Sequence, residues 1–253
     1  MLEEVARIAD EAGRIAAGRC GTAFRTWDKA PGHPVCEIDL EVDTFLHEHL
    51  RALDPDAGWL SEETLDLSDR IERRRLWVID PIDGTRDYLR QRPGWCVSVA
   101  LVEDRVPVLG VLAAPQRGEL WTASAGQGSR RNGEPLRVSR RVQLAGARVP
   151  ADELPKEDRD LIAVPKPNSI ALRIALVASG EADLVATLKW GFEWDIAAAA
   201  LIAEEAGATV TGALGQPLAF NTAAGEAFGV LAATPGIHAA AVERLRERAL
   251  ALV

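Results

Sequence analysis

Residues 77–89 read W-V-I-D-P-I-D-G-T-R-D-Y-L, and the rest of the chain is arranged around them. Leu76, Trp77, Val78 and Ile79 form a short apolar run that predicts a buried strand ending at Asp80. Pro81 has no backbone N–H and is expected to stop the ladder there. Asp83 follows, and Gly84-Thr85 predict a turn into a helix start. Two carboxylates at a strand end beside a helix mouth suit a hard divalent cation with a phosphate anchored to it. A bare D-x-x-D-G is common in ordinary turns; the six-residue D-P-I-D-G-T is far more specific.

The full D-P-I-D-G-T resembles the signature of the inositol monophosphatase family, magnesium-dependent and lithium-sensitive phosphomonoesterases. Two further segments carry the resemblance in the same order. S-E-E at Ser61–Glu63 precedes the central strand, and W-D-I-A-A at Trp194–Ala198 is followed by E-A-G. The resemblance spans about residues 35–232 and implies an α/β fold, a layered αβαβα sandwich. It implies that Glu62, Asp80 and the Ile82 carbonyl hold one Mg2+ and that Asp80, Asp83 and Asp195 hold a second, with a third, weaker ion near Glu62. Thr85, oriented by Asp39, then positions the attacking water, with Glu62 the third catalytic group. The amides of Gly84 and Thr85 hold phosphate.

Three positions depart from the inositol-specific pattern. Leu188 stands where a sugar-binding glutamate is expected, Asn168 replaces a glycine, and T-R-D-Y is closer to the T-K-E-F of bisphosphate nucleotidases. With Arg86 and Lys189 available for a second phosphate, the expected substrate is 3'-phosphoadenosine 5'-phosphate. Inositol 1-phosphate and another sugar or histidinol phosphate are the alternatives. A regulatory binding protein on the same fold is a reading of another class; it would be favoured by loss of a metal ligand, and none is lost.

The chain has 253 residues, 47% hydrophobic and 26% charged, as in a soluble globular protein. Its net charge of -9 argues against direct nucleic-acid binding. Three scattered cysteines fit small apolar fillers in a reducing cytoplasm. Neither a signal peptide nor a membrane span is legible. The expected partners are a small phosphorylated metabolite and a second copy of the chain, as a homodimer.

Two tightly joined parts are expected, an α+β part over 1–136 with most metal ligands and an α/β part over 137–253 that completes the site. Periodicity predicts a helix over 2–16 stopped by Gly18, a possible strand over 22–27, and a loop at 29–34. A helix carrying Ile38, Val42, Phe45 and Leu46 follows. Asp43 reads as part of its solvated acidic face, and His47 and His49 as surface or core-edge residues. Arg73–Arg75 read as a solvated loop. A hairpin is predicted over 96–113 and a strand over 119–124, followed by a turn-rich connection at 126–136 and an exposed piece over 137–165. Helices at 169–178 and from Asp195 to Gly207 enclose a strand at 182–187. Two more strands and an amphipathic helix close the chain.

Overall fold

A computed structural model describes residues 1–30, 33–64 and 68–253. In chain order the elements are α1 (Leu2–Arg19), β1 (Thr26–Ala30), β2 (His33–Cys36), α2 (Glu37–Leu53), β3 (Gly58–Ser61), β4 (Arg75–Asp83) and α3 (Thr85–Leu89). Then come β5 (Cys96–Glu103), β6 (Val106–Ala114), β7 (Glu119–Ser124), β8 (Ser129–Arg131), β9 (Glu134–Pro135), β10 (Arg148–Pro150) and β11 (Ile162–Val164). The chain ends with α4 (Ile170–Ala178), β12 (Leu184–Phe192), α5 (Ala197–Glu205), β13 (Thr209–Thr211), β14 (Glu226–Ala233) and α6 (Pro235–Leu250).

The larger sheet runs β3-β4-β5-β6-β7-β8-β9 among the described residues. Only its β3–β4 pair is parallel. Alternate residues of β4 face opposite sides: Trp77 and Ile79 join α1 and α2 in one core, Leu76 and Val78 join α4 and α5 in the other. Beyond α4 and α5 lies the antiparallel sheet β12-β14-β13, and α6 covers its outer face. The layers are therefore αβαβα, as expected. A sheet covered on both faces needs apolar residues on both, which is why β4 reads as a continuous apolar run.

Several boundaries differ from expectation. The ladder does not stop at Pro81; β4 continues to Asp83 through a register shift between Asp80 and Asp83. A bulge is where a strand tolerates a residue that cannot donate. α1 runs past Gly18 to Arg19. β1 begins at Thr26 instead of Thr22, and strand runs into the expected 29–34 loop from both sides, β1 to Ala30 and β2 from His33, with Pro31 and Gly32 outside the described residues. The 126–136 connection adds β8 and β9 to the sheet, and β10 pairs with β11 inside the 137–165 segment expected to be an exposed piece. Arg75 opens β4 and reaches Asp54 at 2.6 Å, while Arg73 and Arg74 are exposed. His47 and His49 are half-buried against Trp59 and Phe45.

Candidate active site

The bulge in β4 aims its carboxylates. Asp80 is 1% exposed and accepts the Ile82 amide at 3.0 Å, so the turn folds back on its own side chain. Asp83 points at the start of α4. It accepts the Ser169 hydroxyl at 2.5 Å, the Ala171 amide at 2.8 Å and the Ile170 amide at 3.3 Å. Ser169 also caps that helix through the Leu172 amide, at 2.9 Å. Asp195 lies in the turn between β12 and α5, one residue before the Ile196 cap, and does not itself open the helix.

One carboxylate oxygen from each of Asp80, Asp83 and Asp195 lies within 4.8 Å of the others. Glu62, whose amide donates to the Ile79 carbonyl at the end of the parallel β3–β4 pair, stands beside this trio. Burial, then the neighbouring Glu62, Asp83 and Asp195 carboxylates, push the Asp80 carboxyl well above its usual range. Burial, Asp83 and Glu62 do the same to Asp195. Burial raises Asp83 to about 6 against the opposing Ser169 and Ala171 hydrogen bonds. Clustered, buried, oxygen-only donors are costly alone and are stabilised by a hard divalent cation, so these residues fit magnesium.

Gly84 makes the turn after Asp83 at φ +96°. A Cβ there would meet the Gly94 carbonyl oxygen at 2.7 Å and the Ser169 nitrogen at 2.9 Å, so only glycine fits. The Thr85 hydroxyl donates to the Ile82 carbonyl at 3.1 Å, not to Asp39. Asp39, 1% exposed at the third position of α2, accepts the Cys36 amide at 2.8 Å. Burial, with Asp39 next to it, pushes the Cys36 thiol up to about 12, which leaves it an inert filler.

Asp43 corrects the reading of a solvated face. It is buried and accepts the Ser61 hydroxyl at 2.5 Å and the Thr64 hydroxyl, pinning α2 to the segment that carries Glu62. Hydroxyls on both sides of the S-E-E acids were the available signal, but nothing local joins them to residue 43.

A cavity of about 160 Å³ opens beside Asp195. Arg173, Lys189, Trp190 and Ile170 are among its walls, with Gly229 and Val230 from β14. The Arg173 guanidinium donates to the carbonyls of Pro167 at 2.7 Å and Asn168 at 2.6 Å, and Asp83 feels its charge. Trp190 is 55% exposed at the cavity and packs edge-on against Phe228. Lys189 lines this cavity, whereas Arg86 is exposed on α3 outside these walls. Arg173 and Trp190 were not singled out from the sequence; a lone arginine in an apolar helix and an aromatic beside a glycine were the only signals.

A family model described as the inositol monophosphatase family matches residues 1–252. The chain is similar to the 3'(2'),5'-bisphosphate nucleotidase CysQ of Aggregatibacter actinomycetemcomitans, 32% identical over 239 residues that cover 87% of each chain. It is also similar to the Nus factor SuhB of Xylella fastidiosa, 37% identical over 190 residues, 69% of this chain and 67% of that one. Among solved structures, an inositol monophosphatase from Anabaena superposes with a TM-score of 0.82 at 28% identity, covering 97% of this chain and 95% of that one.

Proposed function

We infer the reaction from one premise: this chain belongs to the inositol monophosphatase family and is a phosphatase, a hydrolase of phosphate monoesters. The family is metal-dependent, typically on magnesium, and acts on small phosphorylated substrates. Our reading of the site assigns Glu62, Asp80, the Ile82 carbonyl, Asp83 and Asp195 to the cation. When bound, the ion supplies positive charge that offsets the charge developing on the phosphoryl and leaving oxygens. Every other task falls to the chain. Because the Thr85 hydroxyl donates to Ile82, its lone pairs are left to accept from a water. We assign Thr85 to orienting that water and Glu62 to drawing off its proton, with Asp39 bracing the turn. The amides of Gly84 and Thr85 are assigned to the phosphate. Water oxygen bonds to phosphorus, the ester oxygen leaves, and a proton passes to it.

The substrate reading is a 3'(2'),5'-bisphosphate nucleotide, with 3'-phosphoadenosine 5'-phosphate as the specific choice. One observation carries it: the wall beside Asp195 presents Arg173, Lys189 and the exposed Trp190 ring. Two cations suit a second phosphate, and an exposed indole suits stacking on a base. Leu188 packs away from this wall, against the clusters on the α6 side of the sheet, so no carboxylate at that position reaches a sugar hydroxyl here.

The test compares kcat/KM on 3'-phosphoadenosine 5'-phosphate and inositol 1-phosphate for wild type, Lys189→Ala, Trp190→Ala and Arg86→Ala. Each of the first two variants is expected to lose about 10-fold or more on the bisphosphate, equivalent to ~1.5 kcal/mol per charged contact or stacked base. On inositol 1-phosphate they stay within about twofold of wild type by the same reasoning, since that contact is absent. Arg86→Ala, lying outside the cavity, affects both substrates alike. A wild-type preference for inositol 1-phosphate would sink the nucleotide reading and leave the phosphatase standing.

A further inference from the structure

Asp195 comes from the far half of the chain, 112 residues after Asp83, on a turn outside both flanking regular elements. Something must hold that turn against the carboxylates of β4. The geometry points to Glu193 as the positioning residue, with Arg70, Asn221 and Thr222 as the clamp that locks it to the Glu62 side of the site. This inference rests on the metal assignment above and concerns residues that do not touch the ion.

Glu193 is fully buried, and every polar group it owns is engaged. Its amide donates to the Gly225 carbonyl at 2.9 Å. Its carbonyl accepts the Ile196 amide at 3.2 Å and the Ala197 amide at 2.9 Å, which closes the turn around Asp195 and starts α5. Its carboxylate accepts the Asn221 amide at 2.6 Å, the Thr222 amide at 2.8 Å and the Thr222 hydroxyl at 2.5 Å. Asn221 presents its amide from a left-handed conformation, φ +58°, which asparagine tolerates better than most residues.

The same loop is gripped from the other side. Arg70, 1% exposed, donates to the Asn221 side-chain oxygen at 2.7 Å and to the Thr222 carbonyl at 3.0 Å, and the Asn221 side-chain amide returns a bond to the Arg70 carbonyl at 3.1 Å. The Arg70 backbone lies against Gly58, in the strand that leads to Glu62: a Cβ on Gly58 would sit 3.3 Å from the Arg70 Cα. Arg70 is thus packed against β3, and a polar path runs from it through Asn221 and Thr222 to Glu193, two residues short of Asp195. Buried groups with all partners met have one arrangement, and that rigidity is what a multidentate cation site requires.

The experiment measures the magnesium concentration for half effect in two ways, from turnover and from the magnesium-dependent rise in Tm, which follows mass action on the folded state. Glu193→Gln keeps the shape but sets an amide NH2 against a donor. It is expected to raise the half-effect concentration about 10-fold in both readouts, in the range for removing groups that orient metal ligands. Turnover at saturating magnesium should stay within about twofold, because the reacting groups are untouched. Thr222→Val removes one bond and should shift both readouts the same way by about 3-fold, on the same scale; it carries the test if Glu193→Gln does not fold. Val242→Ala, in the distant α6 core, serves as the purely destabilising comparison. If the clamp variants lower Tm as Val242→Ala does and leave both magnesium responses at wild-type values, the inference is overturned. It is equally overturned if saturated turnover collapses while magnesium affinity holds. A wild-type protein with no magnesium response in Tm would overturn the metal assignment itself, which separates the two failures.

Discussion

Asp83 is held by a hydroxyl and two amides at the start of α4 as well as being offered to the cation. An asparagine there keeps one oxygen for the Ser169 and Ala171 bonds and gives up only the longer Ile170 one, but it is a neutral and poorer ligand for a hard ion. Losing a residue that merely supports a ligand costs 10- to 100-fold, so losing the ligand should cost at least ~100-fold in turnover. Asp83→Asn is therefore expected to keep a wild-type-like far-UV spectrum while losing most activity at every magnesium concentration. Wild-type turnover at saturating magnesium would remove Asp83 from the site.

At the scale of elements, α5 sets where Asp195 sits, and it does so by lying unusually close to the large sheet. Its alanines Ala197–Ala200 are buried, and a Cβ on Gly110 of β6 would come within 2.7 Å of the Ala198 carbonyl oxygen. Gly110→Val must push the helix off the sheet. We expect a loss of about 2–3 kcal/mol from overpacking, read as a lower urea midpoint, together with a higher magnesium requirement. An unchanged midpoint would mean that the layers slide freely. The alanine run was legible in the sequence as a helix, and so was its role beside W-D. The carboxylate positions were legible too, through the family resemblance that D-P-I-D-G-T, S-E-E and W-D-I-A-A carry together, since each acid taken alone reads as an ordinary turn or cap residue. What was not legible is what joins distant segments. Asp43 looked solvated because a 3.6-residue period assigns it to a face without saying what covers that face. Arg70 and Asn221 lie about 150 residues apart, and no local pattern pairs them. Pro81 misled for a different reason: the rule that proline ends a ladder holds for regular strands, and β4 is bulged at that point.

For the whole molecule, opposing carboxyl shifts set the response to pH. Asp83, raised to about 6, and Asp80 and Asp195, raised well above their usual range by burial and the neighbouring carboxylates, bind protons in the folded state that the unfolded chain releases down to its ordinary carboxylate range. Without metal, stability should rise as pH falls through about 6 towards the ordinary carboxylate value near 3.8. Asp183 acts in the opposite direction. Burial opposes its charge, but hydrogen bonds from Arg148 and Ser139 hold its carboxyl down to about 2. Its contribution is complete above the ordinary value near 3.8 and is lost as pH falls through about 2. The metal-free protein should therefore be most stable near pH 4, and saturating magnesium should abolish the decline on the alkaline side. A metal-free urea midpoint that is flat from pH 5 to 7.5 would contradict the buried, repelling cluster.

The distance in sequence between Asp83 and Asp195 also has a consequence in time. A ribosome adding roughly 5–20 residues per second makes Asp195 about 6–22 s after Asp83. During that interval the emerging chain holds its early acids without the last one and without the Glu193 clamp. Any ion caught then would be weakly held and readily exchanged, so cation choice is deferred until synthesis is nearly complete.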